Sequence, residues 1–487
     1  MKSFCEADNI CTSEVGQPLS EAQKDFKKTV AVCINIHFSV NICIFIDFYM
    51  SFVNNLHIMI NPLAKELNDK LSGSVVDALM SNMGKRLYFP NGIISQGGEA
   101  AKDAKLANGT IGMAVANGTP IELDSYKKLM PELGPRETVA YAKTAGNPDV
   151  RAVWKEKILE KNPDLKNKKI SLPILVPGLT AVLSYVCDLF VDENHPLLAA
   201  DPSWDNYELI ASARCNAEFH QFKCFENGKF NIPGIEKAMK ADADKYGSVR
   251  LILNFPQNPS GYSPTKDEAK QLVKIVKELA ESGKKVLVLS DDAYFGLNYE
   301  DDIEPQSLFA YMADLHENVL AIKADGPTKE DFAWGFRTGF ITFGSKGLSD
   351  EQISALQVKF MSAIRSSVSC SSTVSQSLVL HALKDPAHDA QKKELRKMLK
   401  SRYDAVRKFV NTHTSSVLEP LPFNSGYFMS FNVKTGNAED IRKKLLAEKG
   451  IGIIQIDANT LRVAFSSIDE DKIEAVYESI YNVAESM

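Results

Sequence analysis

The chain of 487 residues is poor in the residue patterns that would tie it together covalently or bind a metal ion. Its eight cysteines (Cys5, Cys11, Cys33, Cys43, Cys187, Cys215, Cys224 and Cys370) are scattered, without a Cys-x-x-Cys pair and without a neighbouring pair of histidines. That spacing excludes a zinc-type cluster, so no metal is expected, and it favours reduced thiols in a cytoplasmic protein. Cys187 and Cys215 read most simply as small core residues. A basic block is also missing: the net charge is −6 and the pI near 5.9, which argues against a nucleic-acid partner. Anionic ligands must therefore be caught locally.

What is present is an ordinary globular composition, 44% hydrophobic and 24% charged, long enough for two or more domains with sizeable cores. Residues 29–46 are uncharged and long enough to span a membrane. Their apolar residues alternate from Val30 to Ile46 with a period of two, which suits a strand better than a lipid-facing helix. Residues 1–58 are accordingly expected to be an extension of doubtful order, with a membrane tether as the rival. Residues 59–130 are expected to contribute to a small domain, 131–350 to form a large one, and 351–487 to complete the small one. Within the first of these, the loop 107–113, Gly112 included, is rich in small residues and suits a pocket wall or a simple hairpin.

Strand-like runs recur at 170–176, 197–200, 217–222, 251–254, 286–290, 319–323 and 340–343, several separated by helical patterns. The pattern over 266–282 opens with the capping-box pair Thr265 and Glu268. Such alternation predicts an α/β fold with a largely parallel sheet. Ligands of such sheets gather at the carboxyl ends of the strands. The residues there are Gly178-Leu179-Thr180 at a helix start, Trp204, Asn258 between two prolines, Asp291 with Tyr294, and the loop of Thr328-Lys329 followed by Arg337.

One cofactor gives each of these residue types a use. A lysine amine forms a Schiff base with a pyridine aldehyde, and a carboxylate keeps the ring nitrogen protonated so that the ring accepts electrons. An amide and a phenol stabilise the ring's phenolic oxygen, and a helix N-terminus with an arginine holds a phosphate. Asn254-Phe255-Pro256-Gln257-Asn258-Pro259-Ser260-Gly261, Asp291-Asp292-Ala293-Tyr294, and Lys329 with Arg337 and Gly339 behind it together resemble the class I/II aminotransferases of the fold type I pyridoxal-phosphate-dependent family, aspartate aminotransferase-like. The resemblance runs from about Met59 to the C-terminus and implies the family's α/β architecture, a large domain with a mostly parallel seven-stranded sheet between helices plus a smaller α+β domain. It implies that Lys329 is the Schiff-base lysine and proton shuttle, that Asp291 pairs with the ring nitrogen, and that Asn258 and Tyr294 contact the phenolic oxygen. It further implies phosphate binding by Gly178, Leu179, Thr180, Thr328 and Arg337, and stacking by Trp204. Tyr141 matches the tyrosine that reaches the phosphate of a partner subunit, which implies a homodimer with shared active sites.

One departure stands out: many members carry hydroxyl residues one and three positions before the lysine, whereas here Thr328 fills the first and Gly326 the second. Lys323, the nearest rival lysine, lacks an arginine eight residues later. Further on, Arg365 has two readings, a solvated arginine or one that pairs with an acidic substrate side chain at the neighbouring site. Arg462 matches the arginine that grips a substrate α-carboxylate, and an arginine between apolar strand residues is costly to bury without an anion. The implied activity is transfer of an amino group from an amino acid to a 2-oxo acid. A carbon–sulfur lyase or an amino acid decarboxylase on the same scaffold is the alternative. A cofactor-sensing regulatory domain would need a DNA-binding helix pair in front, and the N-terminal stretch shows no basic helical pair.

Overall fold

Asn147 opens helix α1 (Pro148–Lys161) by accepting the Asp149 N–H, with proline in the first turn where no donor is lost. From there elements alternate through β1 (Ile174–Val176), α2 (Leu179–Phe190), β2 (Leu197–Asp201), β3 (Phe219–Lys223), α3 (Ile232–Tyr246), β4 (Ser248–Asn254), α4 (Lys266–Glu281), β5 (Lys285–Asp291), β6 (Val319–Asp325) and β7 (Gly339–Gly344). The structure, a computed structural model, describes residues 60–71 and 93–487 apart from 111, 118, 122 and 129–131. The alternating stretch 29–46 lies outside the described residues, as does the whole of the proposed extension 1–58. Among the described residues no helix is long and apolar enough to cross a membrane.

The seven strands form one sheet in the order β1-β7-β6-β5-β4-β2-β3. Only β7 runs antiparallel to its neighbours; the other pairs are parallel. All seven expected runs are strands, and their limits moved for local reasons. The first begins at Ile174 rather than 170 because Pro173 has no N–H for a ladder, while Ser171 makes its own bonds to Phe343. The expected capping box of α4 is formed: the Thr265 hydroxyl accepts the Glu268 N–H, and the Glu268 carboxylate accepts the Thr265 N–H.

Helices α5 (Asp350–Ser367) and α6 (Thr373–Lys384) follow, separated at a serine-rich segment where Ser372 caps α6. Phe360 and Ile364 of α5 join the core made by Ile174, Ile341 and Phe343, and Val379 of α6 joins Trp154 and Phe340 on the other side. The core of the large sheet therefore takes in side chains from both of these helices. Apolar helix faces cover both sides of that sheet, which is why its strands carry little polar alternation.

Helix α7 (His388–Thr412) leads into a second, antiparallel sheet built from β8 (Leu418–Pro420), β9 (Phe428–Val433), then, after α8 (Ala438–Lys449), β10 (Ile454–Asp457) and β11 (Thr460–Ala464). Helix α9 (Glu470–Glu485) closes the chain. Ala107–Asn108 pairs in parallel with Ile451–Gly452, and Gly109 exchanges backbone bonds with Gly452 and Ala464. A Cβ on Gly109 would lie 3.2 Å from the Gly452 carbonyl oxygen. That close approach carries residues 107–110 to the edge of β11, beside Arg462.

Candidate active site

The carboxyl ends of the parallel strands converge on a cleft of about 270 Å³. Its walls include Gly112, Leu179, Thr180, Trp204, Asn258, Asp291, Tyr294, Thr328, Lys329, Arg337 and Arg462. Gly178 lies just behind the wall, against Arg337. Tyr141 and Arg365 stand elsewhere on the subunit: Tyr141 is 96% exposed, and Arg365 is exposed with its Nη1 donating to the Ser369 hydroxyl.

Lys329 rides on a single helical turn, Pro327–Glu330, directly after β6. Burial pushes its ammonium down to about 8, with Asp291 opposing that shift and Arg337 adding to it. Its Nζ sits 4.9 Å from the centre of the Tyr294 ring. The next two side chains turn away from the cleft. Glu330 and Asp331 are buried in an ionic cluster with Lys161 of α1 and Lys392, Arg396 and His388 of α7. Burial alone would raise the Glu330 carboxyl; the Lys161 and Lys392 ammoniums overcome it and hold it at about 2. The lysine turn is thus clamped from behind. Lys323 is not among the residues lining this cleft: it is buried in an ion pair with Asp292 and lies 3.5 Å from Asp325.

Asp291 is buried, and desolvation raises its pKa against a lowering from the Tyr207 hydrogen bond and the Lys329 charge. The Tyr207 hydroxyl donates to its Oδ2, and the Ala293 N–H to its Oδ1 at 3.3 Å. Tyr207 is a site residue that sequence reasoning missed. The signal was available: it stands three residues after Trp204, which places the two on one side of a helical turn, and their rings meet edge to face at 5.7 Å. Asn254 braces the same corner, donating to the Asp291 carbonyl at 2.9 Å and accepting the Asn258 N–H at 2.8 Å.

At the head of α2, Gly178 adopts φ +96°, and a Cβ there would lie 2.6 Å from Nη2 of Arg337. Only glycine lets the guanidinium rest on the helix N-terminus, beside Thr180, and this pairing of cation and free backbone N–H groups forms an anion cradle. Gly326 has a different cause. Its φ of 166° suits any residue, but a Cβ would lie 2.6 Å from the Thr338 carbonyl oxygen and 3.0 Å from Leu179 Cδ1. The hydroxyl expected there from the family pattern has no room. Gly326→Ser is expected to destabilise the fold by about 1–3 kcal/mol through overpacking, measured as a lower urea midpoint with an unchanged slope.

Arg462 is 1% exposed on β11. Nη1 donates to Asn258 Oδ1 at 2.9 Å and Nη2 to the Thr110 carbonyl at 3.1 Å, while Nε is buried with no hydrogen-bond partner. Desolvation lowers its pKa to about 10. The glycine-shaped cradle and the unpartnered Nε fit a ligand with a phosphate and a substrate with a carboxylate. Lys329, Asp291 and Tyr294 supply the amine, carboxylate and phenol that a pyridoxal ring requires between them.

Comparison with known proteins agrees with this chemistry. The family model for aminotransferase class I and II matches residues 113–480. A probable N-acetyl-LL-diaminopimelate aminotransferase of Bacillus subtilis is 24% identical over 319 residues, covering 65% of this chain and 72% of that protein. An aspartate aminotransferase of Sulfurisphaera tokodaii is 22% identical over 352 residues, covering 69% and 80%. The crystal structure of an aminotransferase from Anaerococcus prevotii superposes with a TM-score of 0.74 at 24% identity, covering 83% of this chain and 99% of that one, and so shares the fold. The chain belongs to the class I and II aminotransferases, pyridoxal-phosphate-dependent enzymes that move the amino group of an amino acid to a 2-oxo acid.

Proposed function

We propose that Lys329 is the residue to which the cofactor's aldehyde is attached, and that its Nζ carries the proton taken from the substrate α-carbon. When bound, the pyridine ring supplies the electron sink that makes that proton removable. Asp291 holds the ring nitrogen, with Tyr207 and the Ala293 N–H fixing its carboxylate. Asn258 and Tyr294 hold the phenolic oxygen, and Trp204 covers the ring. The Gly178-Leu179-Thr180 helix start, Thr328 and Arg337 hold the phosphate. Arg462, with Gly112 close by, holds the α-carboxylate. What carries this reading is the arrival of an amine, a carboxylate, an amide, a phenol and a guanidinium at one cleft from several strand ends.

A homodimer is part of the same proposal. Val139 and Tyr141 are 83% and 96% exposed, which suits a face covered by a second copy. In that arrangement the partner's Tyr141 completes the phosphate site, and the partner's Arg365 reaches the side-chain end of the substrate. The free thiols of Cys187, Cys224 and Cys370 favour a reducing compartment, the cytoplasm. We also retain residues 59–130 as a contributor to the small domain, supported by the pairing of Ala107–Asn108 with Ile451–Gly452.

The attachment reaction tests the lysine assignment. An amine attacks an aldehyde only when neutral, and the Lys329 ammonium titrates at about 8. The rate at which apoprotein captures pyridoxal phosphate should therefore rise about tenfold per pH unit up to about 8 and level off above it. Borohydride reduction followed by peptide mass mapping should place the cofactor on Lys329. A rate that keeps climbing toward pH 10, or a label on Lys323, would overturn the assignment.

A further inference from the structure

The carbonyl of Lys329 lies at the end of a helical turn only four residues long, where it has little backbone to bond with. Of its backbone donors, the Phe332 N–H stands a long 3.4 Å away, and the Asp331 N–H also bonds the Pro327 carbonyl at 3.1 Å. The better partner comes from the second sheet: the hydroxyl of Tyr427, immediately before β9, donates to this carbonyl at 3.0 Å. Tyr427 is fully buried, and its ring meets the Tyr294 ring edge to face at 5.4 Å. Phe428, the next residue, meets Tyr294 at 5.4 Å as well and lays its face 4.3 Å from the Arg462 guanidinium. One dipeptide therefore touches the backbone of Lys329, the ring of Tyr294 and the charge of Arg462.

We infer that Tyr427 is a positioning residue for the reaction, fixing the height and direction of the Lys329 side chain by holding its carbonyl. The inference rests on the assignment of Lys329 made above. The physical case lies in how the turn is held. On one side the Glu330 and Asp331 carboxylates are tied to Lys161, Lys392, Arg396 and His388. On the other, the Tyr427 hydroxyl is the short bond to the carbonyl of the reactive residue itself. Packing alone needs only the ring, which phenylalanine would supply equally. Burial raises the Tyr427 pKa well above that of an ordinary phenol, so the hydroxyl remains a donor throughout the working pH range. Without it, the turn keeps its rear clamp but gains freedom about the Lys329 peptide. A proton carried by Nζ must cross a short, directed gap, so small misplacements slow that step while leaving carboxylate binding intact.

The test compares Tyr427→Phe with Tyr403→Phe in the cofactor-loaded enzyme. Tyr403 is a buried tyrosine of the same core whose hydroxyl donates to Glu300, so its loss probes stability without touching the lysine turn. For Tyr427→Phe, kcat should fall about tenfold with KM changed less than about twofold. The rate ratio between ordinary and α-deuterated amino acid should also increase, because proton transfer becomes more strongly rate-limiting. Tyr403→Phe should lower the melting temperature while leaving kcat and the isotope effect at their native values. Native kcat and isotope effect in Tyr427→Phe, or an equal fall in both variants, would overturn the inference. Borohydride peptide mapping of the native enzyme separates the two levels of the proposal. A label on Lys329 beside an unaffected Tyr427→Phe overturns the positioning role alone, and a label elsewhere overturns it together with the lysine assignment.

Discussion

Lys329→Ala is expected to lose at least about a thousandfold in turnover and all covalent retention of the cofactor, because one amine serves as both attachment point and proton carrier. The variant should still fold. The ionic cluster that clamps the turn belongs to Glu330 and Asp331, and the Tyr427 bond goes to a main-chain oxygen that alanine keeps. Pyridoxal phosphate should therefore still bind, held by the Arg337 cradle and by Asp291, but dialysis should remove it even after borohydride. Mass spectrometry of the reduced, denatured protein provides the measurement. A cofactor adduct surviving in Lys329→Ala would show that another lysine does the chemistry.

Arg462→Lys should carry the second-largest effect, a loss of about a hundredfold or more in kcat/KM for the amino acid substrate, expressed mainly in KM. Arg462 spends two of its nitrogens on Asn258 and Thr110 and leaves Nε unpartnered in a buried position. A planar fork braced at one end meets a carboxylate in two parallel bonds, and an ammonium on a flexible stem cannot reproduce that geometry. Lysine would also break the bond to Asn258, itself proposed to hold the phenolic oxygen, so a smaller loss in kcat should accompany the change. The cofactor's visible spectrum with and without a substrate carboxylic acid would check this: the native enzyme should show a saturable change that the variant requires far more acid to produce. Equal affinities would place the α-carboxylate elsewhere.

Much of the site was legible before any coordinates. Apolar runs bounded by turn residues identified seven strands, and the rule that ligands gather at strand ends directed attention to Asn258, Asp291, Tyr294 and Lys329. All four line the cleft. These signals are local: a strand, its terminating turn and the polar residue just beyond it lie within a few positions of one another. The spacing of Lys329 and Arg337 is local in the same sense, since eight residues separate them on one excursion from β6 to β7. Which sheet a helix packs against was less legible. The helices after residue 350 have apolar faces that fit either sheet equally well, and only packing shows Phe360 and Val379 in the core of the larger one.

By itself, then, the sequence determined the kind of fold, the strand ends that carry chemistry, and the residue types offered to the cofactor. Tertiary structure decided which atoms those residues are tied to. Tyr207 supports Asp291 across 84 residues of chain, and Tyr427 bonds the Lys329 carbonyl across 98. Lys323 is drawn into an ion pair with Asp292, just past the end of the neighbouring strand β5, and Gly326 is explained by the carbonyl of Thr338 pressing on the place where its Cβ would be. Periodicity and turn chemistry record which way a side chain faces and where a segment ends. What it meets depends on how distant segments pack to close density, and that information is spread over the whole chain rather than written at any one position.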